Sequence, residues 1–276
     1  ELGEFIYETI DDRGALERYT YPRFTRRHPE KMRFETYEEG AIWDTYRFKG
    51  ETAAGIGHDN LTVEYHIYKV EKKIEVVYSL RKKTETEPEA VYVSFPYQIE
   101  DGRIFLDVPG GNIEAGVDQI PGSSNDWYTV QNFAAARSSD VQVVMGSLEI
   151  PLMQFGAINM YSWPMNNYWT TNFNADQTGG LQWSYFITSS ADTTAGFATR
   201  FAWENRIPFL TRVLQAGDRE DKDAPSCGTF LTLRPDNLLL VNMAPVEGER
   251  AVMLHLRETD GRPAAFAVTS DKVKIR

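Results

Sequence analysis

Alternation of apolar and polar residues with a period of two constrains this chain more than any other feature. Leu61, Val63, Tyr65 and Ile67 alternate with Thr62, Glu64, His66 and Tyr68, the pattern of a strand with one buried face. After Glu71-Lys72-Lys73 the alternation resumes at Ile74, Val76, Tyr78 and Leu80, which predicts a hairpin. Shorter apolar runs follow at residues 42–48, 91–95, 104–108, 141–145, 181–187, 238–241 and 252–256, with Gly, Pro, Asn and Asp in the gaps. A helical cue occurs in residues 195–205, where Phe197 and Phe201 stand four apart. Many short strands with little helical pattern between them predict an all-β, antiparallel sandwich with few short helices. The polar runs 85–89 and 218–223 read as exposed connections.

At 276 residues the chain can bury about three quarters of its unfolded surface, so it needs no disulfide or metal to stand. We read residues 1–276 as one β domain. A net charge of −11 argues against nucleic acid, whose binding requires a basic face, and against an anionic membrane surface. No apolar run approaches the ~18 residues of a membrane-spanning helix. Cys227 is the lone cysteine and reads as a small buried hydrophobe at a strand start, not as a nucleophile. The chain begins with Glu1 and shows no signal-peptide pattern, as expected of a piece of a longer protein or of a processed precursor.

Catalytic signals are sparse. The four histidines are His28, His58, His66 and His255, and no two share the close spacing that puts a pair of ligands on one metal. His66 and His255 fall on the polar phases of their strands, which predicts exposure, and His28 reads as part of a surface loop. His58 precedes Asp59 in a loop, a pairing more often structural than functional. No phosphate-binding glycine loop and no nucleophile-elbow motif occurs. With 40 Asp and Glu residues, a carboxylate pair for glycoside hydrolysis is available by number alone and therefore carries no information.

Three segments stand out. Residues 164–173 (PMNNYWTTNF) hold three asparagines and several aromatic rings without a charge. Amides bond sugar hydroxyls in both senses and rings cover apolar C–H patches, so Asn166, Asn167, Tyr168 and Asn172 are candidate carbohydrate-binding residues. The competing reading is a buried loop whose amides satisfy backbone groups. Residues 116–128 form a turn-rich loop that offers Asp118, Gln119, Asp126 and Trp127 to a ligand, or else an ordered connection capped by Asx-turns. Residues 149–156 read as a strand-edge packing element.

In order and spacing, VYVSFPY (91–97), DQIPGSSNDWYTV (118–130), PLMQFG (151–156), MNNYWTTNF (165–173) and the following Gln177-Thr178-Gly179-Gly180 resemble the C-terminal β-sandwich region of family 38 glycoside hydrolases, the α-mannosidase group. The opening Leu2-Gly3-Glu4-Phe5-Ile6-Tyr7 and the segment 254–261 resemble it too. The resemblance implies a galactose-mutarotase-like supersandwich packed on an N-terminal catalytic barrel of the same polypeptide. That barrel would hold the zinc ion and the Asp nucleophile, and none of its residues has a counterpart here. On this reading the chain is inactive alone and contributes to a glycan cleft through the 118–127 and 166–172 loops. A free-standing carbohydrate-binding module is the alternative, and a complete mutarotase-like enzyme a third reading that the histidine pattern disfavours.

Overall fold

In the computed structural model the described residues are 1–20, 22–156, 158–169, 174–207, 209–213, 227–270 and 272. They divide into two compact units, Glu1–Thr193 and Thr194–Arg276. The first contains β1 (Glu4–Ile10), α1 (Arg13–Glu17), β2 (Phe24–Arg27), β3 (Glu30–Glu39), β4 (Trp43–Glu51), β5 (Leu61–Tyr68), β6 (Ile74–Lys82), β7 (Glu89–Pro96) and β8 (Arg103–Val108). It continues with β9 (Gly111–Glu114), β10 (Tyr128–Thr129), β11 (Ala134–Arg137), β12 (Gln142–Gly146), β13 (Leu152–Gly156), β14 (Asn159–Asn166) and β15 (Gly179–Ser190). A six-stranded sheet runs β10-β13-β14-β7-β1-β2 and a nine-stranded sheet runs β3-β4-β5-β6-β15-β12-β11-β8-β9. Every strand pair is antiparallel, so this unit is the antiparallel sandwich that the alternation predicts.

The predicted hairpin is β5–β6, with Leu61 opposite Leu80 and Ile67 opposite Ile74. Its apolar phase faces the other sheet. Leu61, Val63, Val76, Tyr78, Trp183 and Tyr185 meet Phe5, Tyr7, Val91, Val93, Phe95 and Met160 in one core. Rings bridge the two layers: Phe5 stacks on Trp183 at 6.5 Å, and Phe95 meets Tyr185 edge-on at 4.9 Å. Strand β7 is buried on both sides, since Val91, Val93 and Phe95 enter this core while Ala90 and Tyr92 join a second cluster on the outer face.

On β3 and β4 the core-facing phase continues uncovered. Phe34 pairs with Phe48 and Tyr37 with Tyr46, in register with Val63 and Tyr65 of β5, yet Phe34, Tyr37 and Tyr46 are 54%, 46% and 39% exposed. The reverse face carries an ion-pair ladder, Lys49–Glu35 at 2.5 Å and Arg47–Glu64 at 2.6 Å.

The second unit contains α2 (Ala195–Arg206), β16 (Thr232–Arg234), β17 (Leu238–Pro245), β18 (Val252–Glu258) and β19 (Ala267–Thr269). It holds two small antiparallel sheets, β16-β19 and β17-β18. The helix starts where the Thr194 hydroxyl accepts from the Phe197 N–H at 3.2 Å. Its Gly196 N–H donates to Asp260 at 2.9 Å, and a Cβ at Gly196 would lie 3.2 Å from the Asp260 and Thr259 side chains. Among the described residues no helix is long and apolar enough to cross a membrane.

Three expectations are corrected. Glu89 is buried in β7 instead of ending an exposed turn, because its carboxylate meets Lys82 at 2.6 Å. His66 is only 15% exposed, held between Glu75 at 2.9 Å and Glu64 at 3.5 Å and stacked on Trp43 at 5.4 Å. Cys227 is exposed, because the short strand following it begins only at Thr232 and no sheet covers the thiol. The polar run 218–223 lies outside the described residues.

Candidate functional site

The two loops singled out in the sequence meet on the outer face of the six-stranded sheet. Ile6, Ile10, Ala90, Tyr92, Trp163 and Tyr168 are buried there, with Leu16, Trp127, Leu152 and Tyr161 packed against them. Trp127 stacks on Trp163 at 5.1 Å and 20°, and Trp163 stacks on Tyr92 at 5.6 Å and 1°. Tyr168 leans on Trp163 at 5.3 Å and touches Trp169 at 5.6 Å. Trp127 and Tyr168, 41 positions apart in sequence, thus share one aromatic layer.

A polar row crosses this layer. Asn166, Ala90, Glu8 and Arg26 stand opposite one another on β14, β7, β1 and β2. Arg26 Nε donates to Glu8 Oε2 at 2.7 Å and its guanidinium lies 5.7 Å from the Tyr92 ring centre. The Tyr168 hydroxyl donates to Glu8 Oε1 and lies 3.2 Å from the Tyr92 hydroxyl. Burial pushes the Tyr92 hydroxyl up to about 12, and burial followed by the neighbouring Tyr92 and Glu8 drives Tyr168 higher still. Both phenols stay protonated at ordinary pH, so they serve as fixed hydrogen-bonding groups and not as bases.

The candidate residues separate by environment. Asn167 is 2% exposed and clasps backbone. Its Oδ1 accepts from Glu89 N at 2.6 Å, and its Nδ2 donates to the carbonyls of Glu85, Glu87 and Ala175 at 3.1, 3.0 and 2.8 Å. Tyr168 is likewise closed over by its neighbours. Asn167 thus has the backbone partners of the competing reading, whereas the Tyr168 hydroxyl is held by the Glu8 and Tyr92 side chains. Asp118 and Asp126 are exposed, and Gln119, Trp127 and Asn166 are half-buried. Asp118 accepts from Glu114 N at 2.7 Å and Gln119 donates to the Ser124 carbonyl at 3.2 Å, so both also shape their own loop. Asn172 lies outside the described residues, as do residues 170–173 as a whole. Trp169 is 36% exposed at the rim of the layer.

Glu8, Arg26, Tyr92 and Trp163 escaped sequence reading. Glu8 sits in a strand apolar on both faces, and Arg26 reads as one of several surface arginines. The available signal was the aromatic spacing of Tyr161, Trp163 and Tyr168. Among the described residues no three His, Cys, Asp or Glu side chains are grouped to hold a metal ion.

Two solved structures share this architecture. An α-mannosidase from Enterococcus faecalis V583 superposes with a TM-score of 0.73 at 11% identity, over 98% of this chain and 34% of its own. A family 38 glycosyl hydrolase protein from Enterococcus faecalis gives 0.74 at 11% identity, over 98% of this chain and 36% of its own. The fold is that of one region of family 38 glycoside hydrolases. The chain spans about a third of the length of those it matches. No protein-family model and no curated protein sequence matches it.

Proposed function

We propose that this chain is the C-terminal region of an α-mannosidase-like glycoside hydrolase, packing on a catalytic barrel of the same polypeptide and not catalytic alone. In this reading the two units within residues 1–276 act as one region. The barrel would supply the zinc and the nucleophile. The observation that carries the proposal is the superposition of nearly the whole chain on about a third of two family 38 structures. The uncovered aromatic face of β3 and β4 supports it, because a sheet normally buries one side. Asp118, Gln119, Asp126, Trp127 and Asn166 are the proposed contacts to a neutral glycan in the assembled enzyme, joined by Trp169.

A free-standing carbohydrate-binding module is the second reading, favoured by the partly accessible rings of Trp127 and Trp169. The test is hydrolysis of an aryl α-mannoside by the isolated chain with added zinc, beside glycan titration of the same sample. The expected result is no turnover and weak binding at most. Metal-dependent turnover would overturn the proposal. Tight binding that vanishes in Trp127→Ala would transfer the assignment to the free-standing module.

A further inference from the structure

A groove of about 320 Å3 lies on the outer face of the nine-stranded sheet. Its floor is Thr62, Ser79 and Gln182, directly opposite one another on β5, β6 and β15. They point outward because Leu61, Val63, Tyr78, Leu80 and Trp183 beside them turn into the core. One wall is Asp59, and another is Arg81 with Gly180, paired across β6 and β15. Two glycine-bearing segments far apart in sequence, 55–60 and 177–180, meet here.

The Asp59 wall is preformed. Asn60 accepts from Thr52 N at 2.8 Å and donates to the carbonyls of Thr52 and Gly57 at 3.2 and 3.0 Å, which clips the loop shut. Arg33 grips Asp59 through two bonds at 2.7 and 2.6 Å. Arg81 donates to the His58 carbonyl, and its own carbonyl accepts from Ile56 N at 2.8 Å.

Gly180 is the telling residue. It stands in a strand with no left-handed φ, and a Cβ added to it would meet nothing within 4 Å. Neither backbone conformation nor packing requires glycine there, as at the strand glycines Gly111 and Gly156. A glycine in a strand lets another group approach the backbone closely. Gly180 lines the groove.

The lining chemistry names the ligand class. Two hydroxyls and an amide offer donors and acceptors side by side, with one bond of 3.2 Å between Gln182 and Ser79. The Asp59 charge is matched by Arg33, the Arg81 guanidinium is engaged by the His58 carbonyl, and the net charge of −11 disfavours an anion. The volume sits at the low end of the ~300–1,000 Å3 typical of small-molecule sites, so it suits a single ring. We propose that this groove binds one neutral hexopyranose unit, a sugar site on the side of the sandwich away from the aromatic layer. It rests on the reading of the chain as part of a glycan-processing enzyme.

The test is titration of the 276-residue chain, followed by backbone amide NMR. The probes are methyl α-mannoside, methyl α-glucoside, methyl α-galactoside and inorganic phosphate. The expected result is saturable shifts at Ser79, Arg81, Gly180 and Gln182 with at least one glycoside and none with phosphate. Gly180→Leu should abolish those shifts without lowering the melting temperature, since its side chain enters open space. Shifts confined to the 118–127 loop and Trp169 would overturn the groove while leaving the carbohydrate reading intact. Response to phosphate alone, unaltered binding in Gly180→Leu, or no glycoside response anywhere would each overturn it, the last together with the broader reading.

Discussion

Lys82 and Glu89 form an ion pair with side chains 0% and 1% exposed. The Tyr7 hydroxyl donates to the free Glu89 oxygen at 2.5 Å, and Lys82 also donates to the Lys83 carbonyl at 2.7 Å. Burial raises the Glu89 pKa even though Lys82 and Tyr7 pull it down, so desolvation outweighs attraction. Glu89→Ala should therefore cost about 3–5 kcal/mol in denaturant unfolding by stranding the ammonium, whereas Lys82→Met with Glu89→Leu should recover most of it. His66, half-buried, behaves in the opposite sense. The hydrogen bond to Glu75 raises its pKa against a smaller desolvation effect, with Glu64 and the Trp43 ring as its other close neighbours. A raised folded value stabilises fully below the unfolded pKa of about 6.5, and the contribution is lost as pH rises through the folded value. Melting temperature should fall over that window in the native chain, and His66→Gln should remove that part of the fall. Both roles were illegible beforehand: Glu89 lay in an acidic run that reads as solvated, and His66 on a polar phase that reads as exposed.

Strands with regular alternation were legible as elements, and β3 and β14, whose register shifts, were not. In β3 the register shifts between Phe34 and Thr36, so the apolar phase moves from Met32 and Phe34 to Tyr37. In β14 it shifts between Ser162 and Met165, carrying the core phase from Met160 and Ser162 to Met165. An inserted residue breaks a period-two search while leaving the strand intact, and it accommodates Pro164 within a sheet. Strand β1 was hidden differently: Phe5 and Tyr7 enter one cluster and Ile6 and Ile10 the other, so no polar phase remains. The helix 195–205 was legible from its phenylalanine spacing and is α2. The β3–β4 hairpin presents rings on one side and paired charges on the other. Phe34→Lys with Tyr46→Lys should keep the fold and shift an associating sample toward monomer in size-exclusion chromatography. Unchanged association would mean that this face is not the sticky one.

At the scale of the whole molecule the chain divides at residue 193, although the sequence offered no linker there. Each unit closes its own strand pairs, and the first carries the large two-layer core. A fragment of residues 1–193 should therefore unfold cooperatively, with a transition close to one seen in the 276-residue chain by calorimetry. Failure of that fragment to fold would restore the single-domain expectation for residues 1–276.

By itself the sequence determined the fold class and the central hairpin, because alternation is a local property of the chain and burial imposes it directly. It also brought two loops to attention, through composition. Only the tertiary structure decided which of their residues remain accessible. Asn167 and Tyr168 have the same residue types as a sugar site, yet their partners come from β1, β7 and the 85–88 connection, some 80 to 160 positions away. Hydrogen-bond satisfaction is a long-range property. No pattern within ten residues distinguishes an amide that clasps the backbone from one that waits for a ligand.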